Sequence, residues 1–576
     1  MKYLGIDIGG TWIKGVAVED HFFGKNHKTR FRGFNIQMVE NTLSAHSTSH
    51  DLLLLLNELI SKFKLNLNDI HGIGISTAGI VNYHGTKVVK AVEYLNFLKE
   101  GSWKPEIEAV FDCTSSIIND ADATTIGLVE LGLLKGNKTV GVMPVGTGIG
   151  FAVWRNGRRW RPGKLLTLLG SIRTPAGRYD SIASASKLAS MDKYGGLNGI
   201  FTKGSNKEVR GSYMNDLVHI IQTAAIIYNL DEVIVCGGLA AAVTECNYPL
   251  EDELNARLTE QMVELEEPVH AYVSKEGNNL QLIGALALAR WESAARSKQV
   301  VIRYETISTE IPYKKDVQLQ ELSTDELLRM AWEAEQEAGK YLEKSLPVIG
   351  NVIDNIFKKI KDGGRLVYVG AGTSGRIAAM DAIEIPCTYG FPEDRIACLI
   401  AGGIADASIE IESDFEEDAS AVPEMLLLNI GPYDTVIGIS ASGAAYYVQS
   451  ALAMAKDKGA YTVLIQSFMP ERQVTFCDDI IPLNSGYELV AGSTRLKAGT
   501  ATKKILNFIS SSLMIKMGKV AGPYMIDVAC INEKLVERAQ DILTILYGMN
   551  KKEAYERLKK ADMQLKKVID KIHSGE

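Results

Sequence analysis

Three short turns in the second half of the chain concentrate glycine and hydroxyl side chains. The first, Gly370-Ala371-Gly372-Thr373-Ser374-Gly375, follows the apolar run Leu366-Val367-Tyr368-Val369 and leads into a helical pattern from Arg376. Strand, glycine turn, helix is a layout that offers free backbone N–H groups and a positive helix end to an anion. Thr373 and Ser374 add hydroxyl donors. The second turn, Ser440-Ala441-Ser442-Gly443, follows the apolar run Thr435 to Ile439. The third runs from Gly492 through Ser493, Thr494 and Lys497 to Thr500 and opens a long helical stretch. One glycine turn alone is a weak signal, because many serve backbone sterics only. Three in one domain fit a phosphosugar pocket better than a dinucleotide site.

The first half holds related features. Residues 3 to 18 read as two strands around a tight Gly9-Gly10-Thr11 turn, with Asp7 closing the first strand. Such a hairpin can wrap phosphates, and Asp7 can hold Mg²⁺ through water. Val140 to Val153 repeats the strand, glycine turn, strand form. Val233 to Ala240 is a buried strand pattern ending in Gly237-Gly238 before a helix, and Ile117 to Ala123 is an apolar strand ending in Asn119-Asp120.

These residues need a scaffold of at least two domains, as 576 residues imply. Residues 281–296 read as a terminal helix, and the boundary falls near 300. Between Lys298 and Gln318 the pattern changes to short strand-like pieces with charge. Ser323, with Glu326 three residues on, marks a helix start, and a helical stretch runs on to Lys361. Strand patterns at 365–369, 395–400, 435–439, 461–465 and 479–483 alternate with helical ones, which implies a parallel sheet with helices on both faces. In the tail, Ala554, Leu558, Ala561, Leu565, Val568 and Ile572 recur at helical spacing and are expected to pack against the domain.

A net charge of -8 with scattered basic residues argues against a nucleic-acid protein. Seven cysteines without a CxxC pair point to reduced thiols in a cytoplasmic setting rather than a disulfide framework. Met1 runs directly into a strand, which leaves no room for a signal peptide, and no apolar run is long enough to span a bilayer.

The segments GAGTSGR, DAIEIPCTYG, LIAGG, GSTRLKAGTATKKILN and DVACINEKL, over roughly residues 303 to 570, resemble the N-acetylmuramic acid 6-phosphate etherases of the sugar-isomerase (SIS) fold group. The resemblance implies a doubly wound domain at 303–545 with a helical tail at 546–576. It implies a metal-free cleavage of a lactyl ether, and a homodimer. Glu384 matches the family's acid, and its neighbours Ile383, Ile385 and Pro386 would give it an apolar setting. The second carboxylate is placed less firmly: an ungapped match falls on Phe415, and Glu416 or Glu417 serves after a local shift. Ser442-Gly443 is followed by Ala444-Ala445-Tyr446 where the family has Arg-Thr-Pro. Lys497 matches a basic position of the signature, with a phosphate or carboxylate as its partner.

Residues 1–298 resemble the ROK sugar kinases, which implies an actin-like (ribonuclease-H-like) two-lobed α/β fold using ATP and Mg²⁺. The phosphate motifs fall on Asp7, Gly9, Gly10, Thr11 and Lys14, and on Gly146, Thr147 and Gly148. The adenosine motif falls on Gly237 and Gly238. Asp120 matches the catalytic base, Asn96 and Asn119 sugar contacts, and Asp180 the position of a sugar-binding Glu. The family's Glu-Gly-His motif and cysteine cluster are missing, so no zinc is expected. Lys164, Arg173 or Arg178 could then meet the carboxylate of a muramic acid. The two resemblances together imply a kinase and etherase acting in sequence on an amino sugar. The alternative is an inactive phosphosugar sensor of the glucokinase regulatory protein type. An aldose–ketose isomerase is disfavoured by the LKAGTA and NEKL segments.

Overall fold

The computed structural model describes residues 1–20, 34–82, 85–90, 93–99, 103–134, 138–160, 169–175, 177–191, 196–202, 207–262, 268–277, 279–301, 308–402, 420–467, 474–483, 485–527, 530 and 532–575. The chain divides into two compact units, Met1–Ser297 with Val422–Asn429, and Lys298–Ala421 with Ile430–Glu576.

The first unit contains two five-stranded sheets built to one plan. In the first, β1 (Lys2–Ile8), β2 (Trp12–Glu19) and β3 (Ile36–Glu40) are antiparallel neighbours. β4 (Ile70–Thr77) and β5 (Thr114–Asn119) extend the sheet from β1 in parallel, in the order β3-β2-β1-β4-β5. The second has β6 (Val140–Pro144), β7 (Ala152–Arg155), β8 (Arg158–Trp160), β9 (Glu232–Cys236) and β10 (His270–Val273), in the order β8-β7-β6-β9-β10. This duplication is the actin-like plan. α1 (Asp120–Glu130) follows β5, and α2 (Gly238–Glu245) follows β9.

The alternation in β4 explains how the first sheet is covered. Ile73 and Ile75 point to one face and join the core formed with Leu52, Leu56 and Ile117. Gly72 and Gly74 point to the other, where α3 (Asn279–Arg296) lies. A Cβ on Gly74 would stand 1.9 Å from the Ala285 carbonyl oxygen, and one on Gly284 of α3 would stand 2.0 Å from that of Ala123 in α1. Backbones this close admit only glycine. Asp122 of α1 and Arg159 of β8 form a 2.7 Å ion pair in which both side chains are 2% exposed.

The second unit is a doubly wound sheet. β11 (Leu366–Gly370), β12 (Ile396–Ile400), β13 (Thr435–Ile439), β14 (Tyr461–Gln466) and β15 (Asp479–Pro482) are all parallel, in the order β12-β11-β13-β14-β15. Val367, Tyr368, Val436, Ile437, Val463 and Leu464 are fully buried, as expected for strands covered on both faces. The order reverses between β11 and β13. That switch point, at the carboxyl ends of the strands, is where such sheets bind ligands.

The stretch from Ser323 to Lys361 is two helices, not one. α4 (Thr324–Glu343) begins with the expected capping box: Ser323 Oγ accepts the Glu326 N–H, and the Glu326 carboxylate accepts the Ser323 N–H at 2.8 Å. Pro347 ends it, since it has no N–H for the Glu343 carbonyl and its ring clashes there, and the Ser345 hydroxyl donates to the Pro482 carbonyl at 2.6 Å. Pro347 then opens α5 (Leu346–Lys361), where its missing N–H leaves no helix bond unmade. Between Lys298 and Gln318, residues 302–307 lie outside the described residues. The described part has a 3₁₀ turn at Ser308–Glu310 and a single bridge from Pro312 to Glu488 rather than strands, since proline cannot donate to a ladder. The remaining helices are α6 (Gly372–Tyr389), α7 (Tyr446–Asp457), α8 (Lys497–Lys516), α9 (Glu533–Tyr547), α10 (Lys551–Lys560) and α11 (Leu565–Ser574). Ala554, Leu558, Ala561, Leu565 and Val568 form a core of their own with Ala539, Ile542 and Leu543 of α9. They do not merely coat the sheet domain. Among the described residues no helix is long and apolar enough to cross a membrane.

Candidate active sites

In the second unit, β11 hands over to α6 through Gly372, whose φ of +52° is a conformation that favours glycine. Ala371 supplies no side-chain cap, so the first N–H groups of α6 face the end of the sheet as an anion seat. The Ser440–Gly443 turn follows the neighbouring strand, with Gly370 opposite Ile439. It is closed by the Gly443 N–H on the Ser440 carbonyl at 3.1 Å. A Cβ on Gly499 would lie 3.9 Å from Thr373 Cγ2, so the first turn of α8 abuts the first turn of α6. The three turns containing Thr373, Ser374, Ser440, Ser442, Ser493 and Thr494 thus come together at the switch point.

The start of α8 differs from the start of α6. Glu488, 0% exposed, accepts the N–H groups of Lys497 at 3.1 Å and Ala498 at 2.9 Å. A protein carboxylate therefore already holds this helix end. Burial raises the proton affinity of Glu488, against the pull of those two N–H groups and Lys497. Lys497 is itself buried, with its ammonium 4.9 Å from the centre of the Tyr313 ring. Burial lowers its pKa, opposed by Glu488, Glu337 and Glu335. Tyr313 is tied down by its N–H to the Glu488 carbonyl and by its hydroxyl to Glu337 at 2.9 Å.

Glu384 lies further along α6. Ten residues, about 15 Å of rise along a helix, separate it from Ser374. The apolar setting expected for Glu384 is missing from the single chain. Its side chain is 58% exposed and its neighbour Ile383 is 66% exposed, because the side of α6 that they share with Met380 is not the side laid on the sheet. Lys503 of α8 stands 3.5 Å from Glu384 Oε2 and 3.6 Å from Asp381 Oδ1. Glu416 and Glu417 lie outside the described residues.

In the first unit the glycine turns converge. A Cβ on Gly10 would lie 3.4 Å from Thr147 Cγ2, which puts the Gly9-Gly10-Thr11 hairpin against the Gly146-Thr147-Gly148 turn. Gly237, at φ +81°, packs on the Val145 backbone, and the Leu239 N–H reaches the Val145 carbonyl at 3.0 Å. Asp7 lies opposite Lys14 in the hairpin and accepts the Ser76 hydroxyl at 3.0 Å. Burial raises its pKa against Lys14 and Ser76. Thr77 Oγ1, one residue on from Ser76, is buried with no partner among the described residues. Asp120 opens α1, and burial, followed by the charge of Asp7, pushes its pKa up to about 7. Burial and the charges of Asp120 and Asp7 push Tyr94 up to about 12.

The expected sugar contacts divide. Asn96 is exposed. Asn119 caps α1: its Oδ1 accepts the Ala121 and Asp122 N–H groups and its Nδ2 donates to the Gly79 carbonyl at 2.7 Å. Asp180 accepts the Ile149 N–H at 2.7 Å and pairs with Arg178 at 3.1 Å, so it braces the Gly146–Gly150 turn. Arg173 is exposed opposite Arg178, and Lys164 lies outside the described residues. Among the described residues, no three His, Cys, Asp or Glu side chains group closely enough to hold a metal ion.

Comparison with known proteins bears on both units. Residues 3–166 match the ROK family model, and residues 348–456 match the model of the glucokinase regulatory protein N-terminal SIS domain. An N-acetylmuramic acid 6-phosphate etherase from Petrotoga mobilis is 41% identical over 274 residues, 47% of this chain and 91% of that protein. One from Prochlorococcus marinus is 44% identical over 247 residues, 42% of this chain and 79% of its own. The C-terminal half belongs to the N-acetylmuramic acid 6-phosphate etherase family. Among solved structures, a ROK family glucokinase from Streptomyces griseus in complex with glucose and AMPPNP aligns over 50% of this chain and 99% of its own, at 18% identity and a TM-score of 0.39.

Sequence reasoning passed over Glu488 and Lys503 in the etherase half, and Tyr94 in the N-terminal half. Glu488 precedes the helix it caps by nine residues, too far for a local capping signal. Tyr94 lies two residues before Asn96, yet only the fold brings it under the influence of Asp120.

Proposed function

We propose that the protein is a two-step enzyme of cell-wall amino sugar recycling. The front half phosphorylates O6 of N-acetylmuramic acid with ATP. The rear half removes D-lactate to leave N-acetylglucosamine 6-phosphate. The observation that carries the reading is the convergence of three hydroxyl-lined turns at the switch point of a domain with etherase relatives at about 40% identity.

For the kinase step, the facing Gly10 and Thr147 turns, the Gly237–Gly238 corner and Lys14 form a cradle for a nucleotide triphosphate. Asp7 and the partnerless Thr77 hydroxyl suit a hydrated Mg²⁺. Bound Mg²⁺ would offset the charge of the transferring phosphate. Asp120, with its proton affinity near neutrality, takes the proton of the attacking sugar hydroxyl.

For the etherase step, the ring opens so that C3 lies β to the C1 aldehyde. A base removes the acidified C2 proton, an acid gives a proton to the departing lactate oxygen, and water adds across the double bond left behind. This needs acid and base groups and no metal. Glu384 is the acid, with Glu416 or Glu417 for the second role. Because Glu384 and its neighbour Ile383 stand exposed on the single chain, we place it in the site of a second copy. Exposed Met380 and Ile383 on α6 and Phe508 and Ile515 on α8 provide the face such a homodimer would bury, and closure would supply the apolar surroundings absent from the single chain.

Incubation with N-acetylmuramic acid, ATP and Mg²⁺, followed for both ADP and D-lactate, tests the proposal. Both products are expected, and Glu384→Gln should abolish lactate while sparing ADP. The match at 348–456 to a regulatory SIS domain gives the second reading its weight. Binding of synthetic N-acetylmuramic acid 6-phosphate without lactate release would select a phosphosugar sensor.

A further inference from the structure

Glu384 is not a free surface carboxylate. Its Oε2 is 3.5 Å from Lys503, and Lys503 is 3.6 Å from Asp381 one turn earlier on α6. Asp381 is an unusual anchor. Its residue is 3% exposed, and it accepts the hydroxyls of the fully buried Tyr368 at 3.0 Å and of Ser510 at 3.1 Å. Tyr368 stands in β11, Asp381 in α6, and Ser510 and Lys503 in α8, so three packed elements fix this carboxylate. A carboxylate so enclosed needs a cation, and Lys503 is the one that reaches it. The same ammonium extends to Glu384, and among the described residues Glu384 Oε1 carries no recorded partner.

We infer that Lys503, anchored on buried Asp381, is a positioning residue that holds Glu384 by one oxygen and leaves the other aimed at substrate. This rests on the etherase reading. A carboxylate on an exposed helix face otherwise samples several rotamers, each equally solvated. A single fixed ammonium selects one of them. Lys503 then acts on turnover through Glu384 and leaves phosphate and sugar contacts at the turns alone.

The test compares wild type, Lys503→Met, Lys503→Arg and Asp381→Asn on synthetic N-acetylmuramic acid 6-phosphate, with D-lactate as readout. Loss of positioning should lower kcat of Lys503→Met by about 10²-fold, the cost of displacing a catalytic group by roughly 1 Å, with KM little changed. Lys503→Arg, which keeps the charge and the reach, should recover most of the rate. Asp381→Asn, which frees the ammonium from its anchor, should lose kcat in the same sense. Should Lys503→Met fail to fold, the Arg and Asn variants decide: an Asn variant that turns over at the wild-type rate overturns the inference. So does a folded Met variant within about threefold of wild type, or an Arg variant no better than Met. Absence of lactate from the wild type would instead overturn the etherase reading itself.

Discussion

Replacing Glu488 with glutamine tests how the third turn is held. The carboxylate receives two N–H groups, from Lys497 and Ala498, in a site with no solvent access. An amide keeps one acceptor oxygen and turns an NH₂ toward the other N–H, so one buried donor is orphaned at about 1–3 kcal/mol. At about 2 kcal/mol, the amides at the start of α8 should exchange with deuterium about 30-fold faster. Glu488→Ala, which orphans both donors, should about double that free-energy loss. Exchange measured on a peptide spanning 496–503, with α5 as internal control, reads this out. Rates within about threefold of wild type would refute the capping argument, since no other acceptor reaches these two groups in the described structure.

Co-expressed Glu384→Gln and Ser374→Trp copies, each inactive alone, should yield about a quarter of wild-type lactate release, because half of randomly paired dimers carry one intact site in two; no recovery would place both residues in one chain's site. Asp120 binds its proton up to about 7 in the folded chain but only to about 4 when unfolded, so its contribution favours folding at low pH and is lost as pH rises through that window. Asp120→Asn should therefore melt higher than wild type at pH 8, with the gap closing toward pH 4, while ADP formation falls about 10²-fold or more; an unchanged Tm at pH 8 counts against the buried-charge argument. Arg159→Met leaves Asp122 buried without its counter-charge and should destabilise the first unit by about 3–5 kcal/mol, measured by chemical denaturation against the double variant Arg159→Met/Asp122→Leu, which should recover much of it.

Much of the fold was legible because its signals are local. The five strands of the second unit's sheet follow apolar runs, and their bounds agree with the runs to within a residue or so. The Ser323 capping box uses residues three apart. The strand, glycine turn and helix around Gly372 were equally readable, since one turn joins them. What escaped depends on long separations. The Ser345 hydroxyl meets a carbonyl 137 positions away. The place of Lys503 beside Glu384 is set by the crossing of two helices. Lys497 was singled out from its signature segment, but its burial under Tyr313 depends on a segment that arrives from 184 positions earlier, and no turn pattern announces it.

The covering of Lys497 by Tyr313 makes the start of α8 a timed exposure. An amine-acylating reagent cannot attack that nitrogen while the phenol ring sits over it, whereas surface lysines react at once. The lag before this one lysine is labelled would clock how often the strap at residues 308–314 lifts, and a ligand that fastens the strap would lengthen the lag without touching the nitrogen.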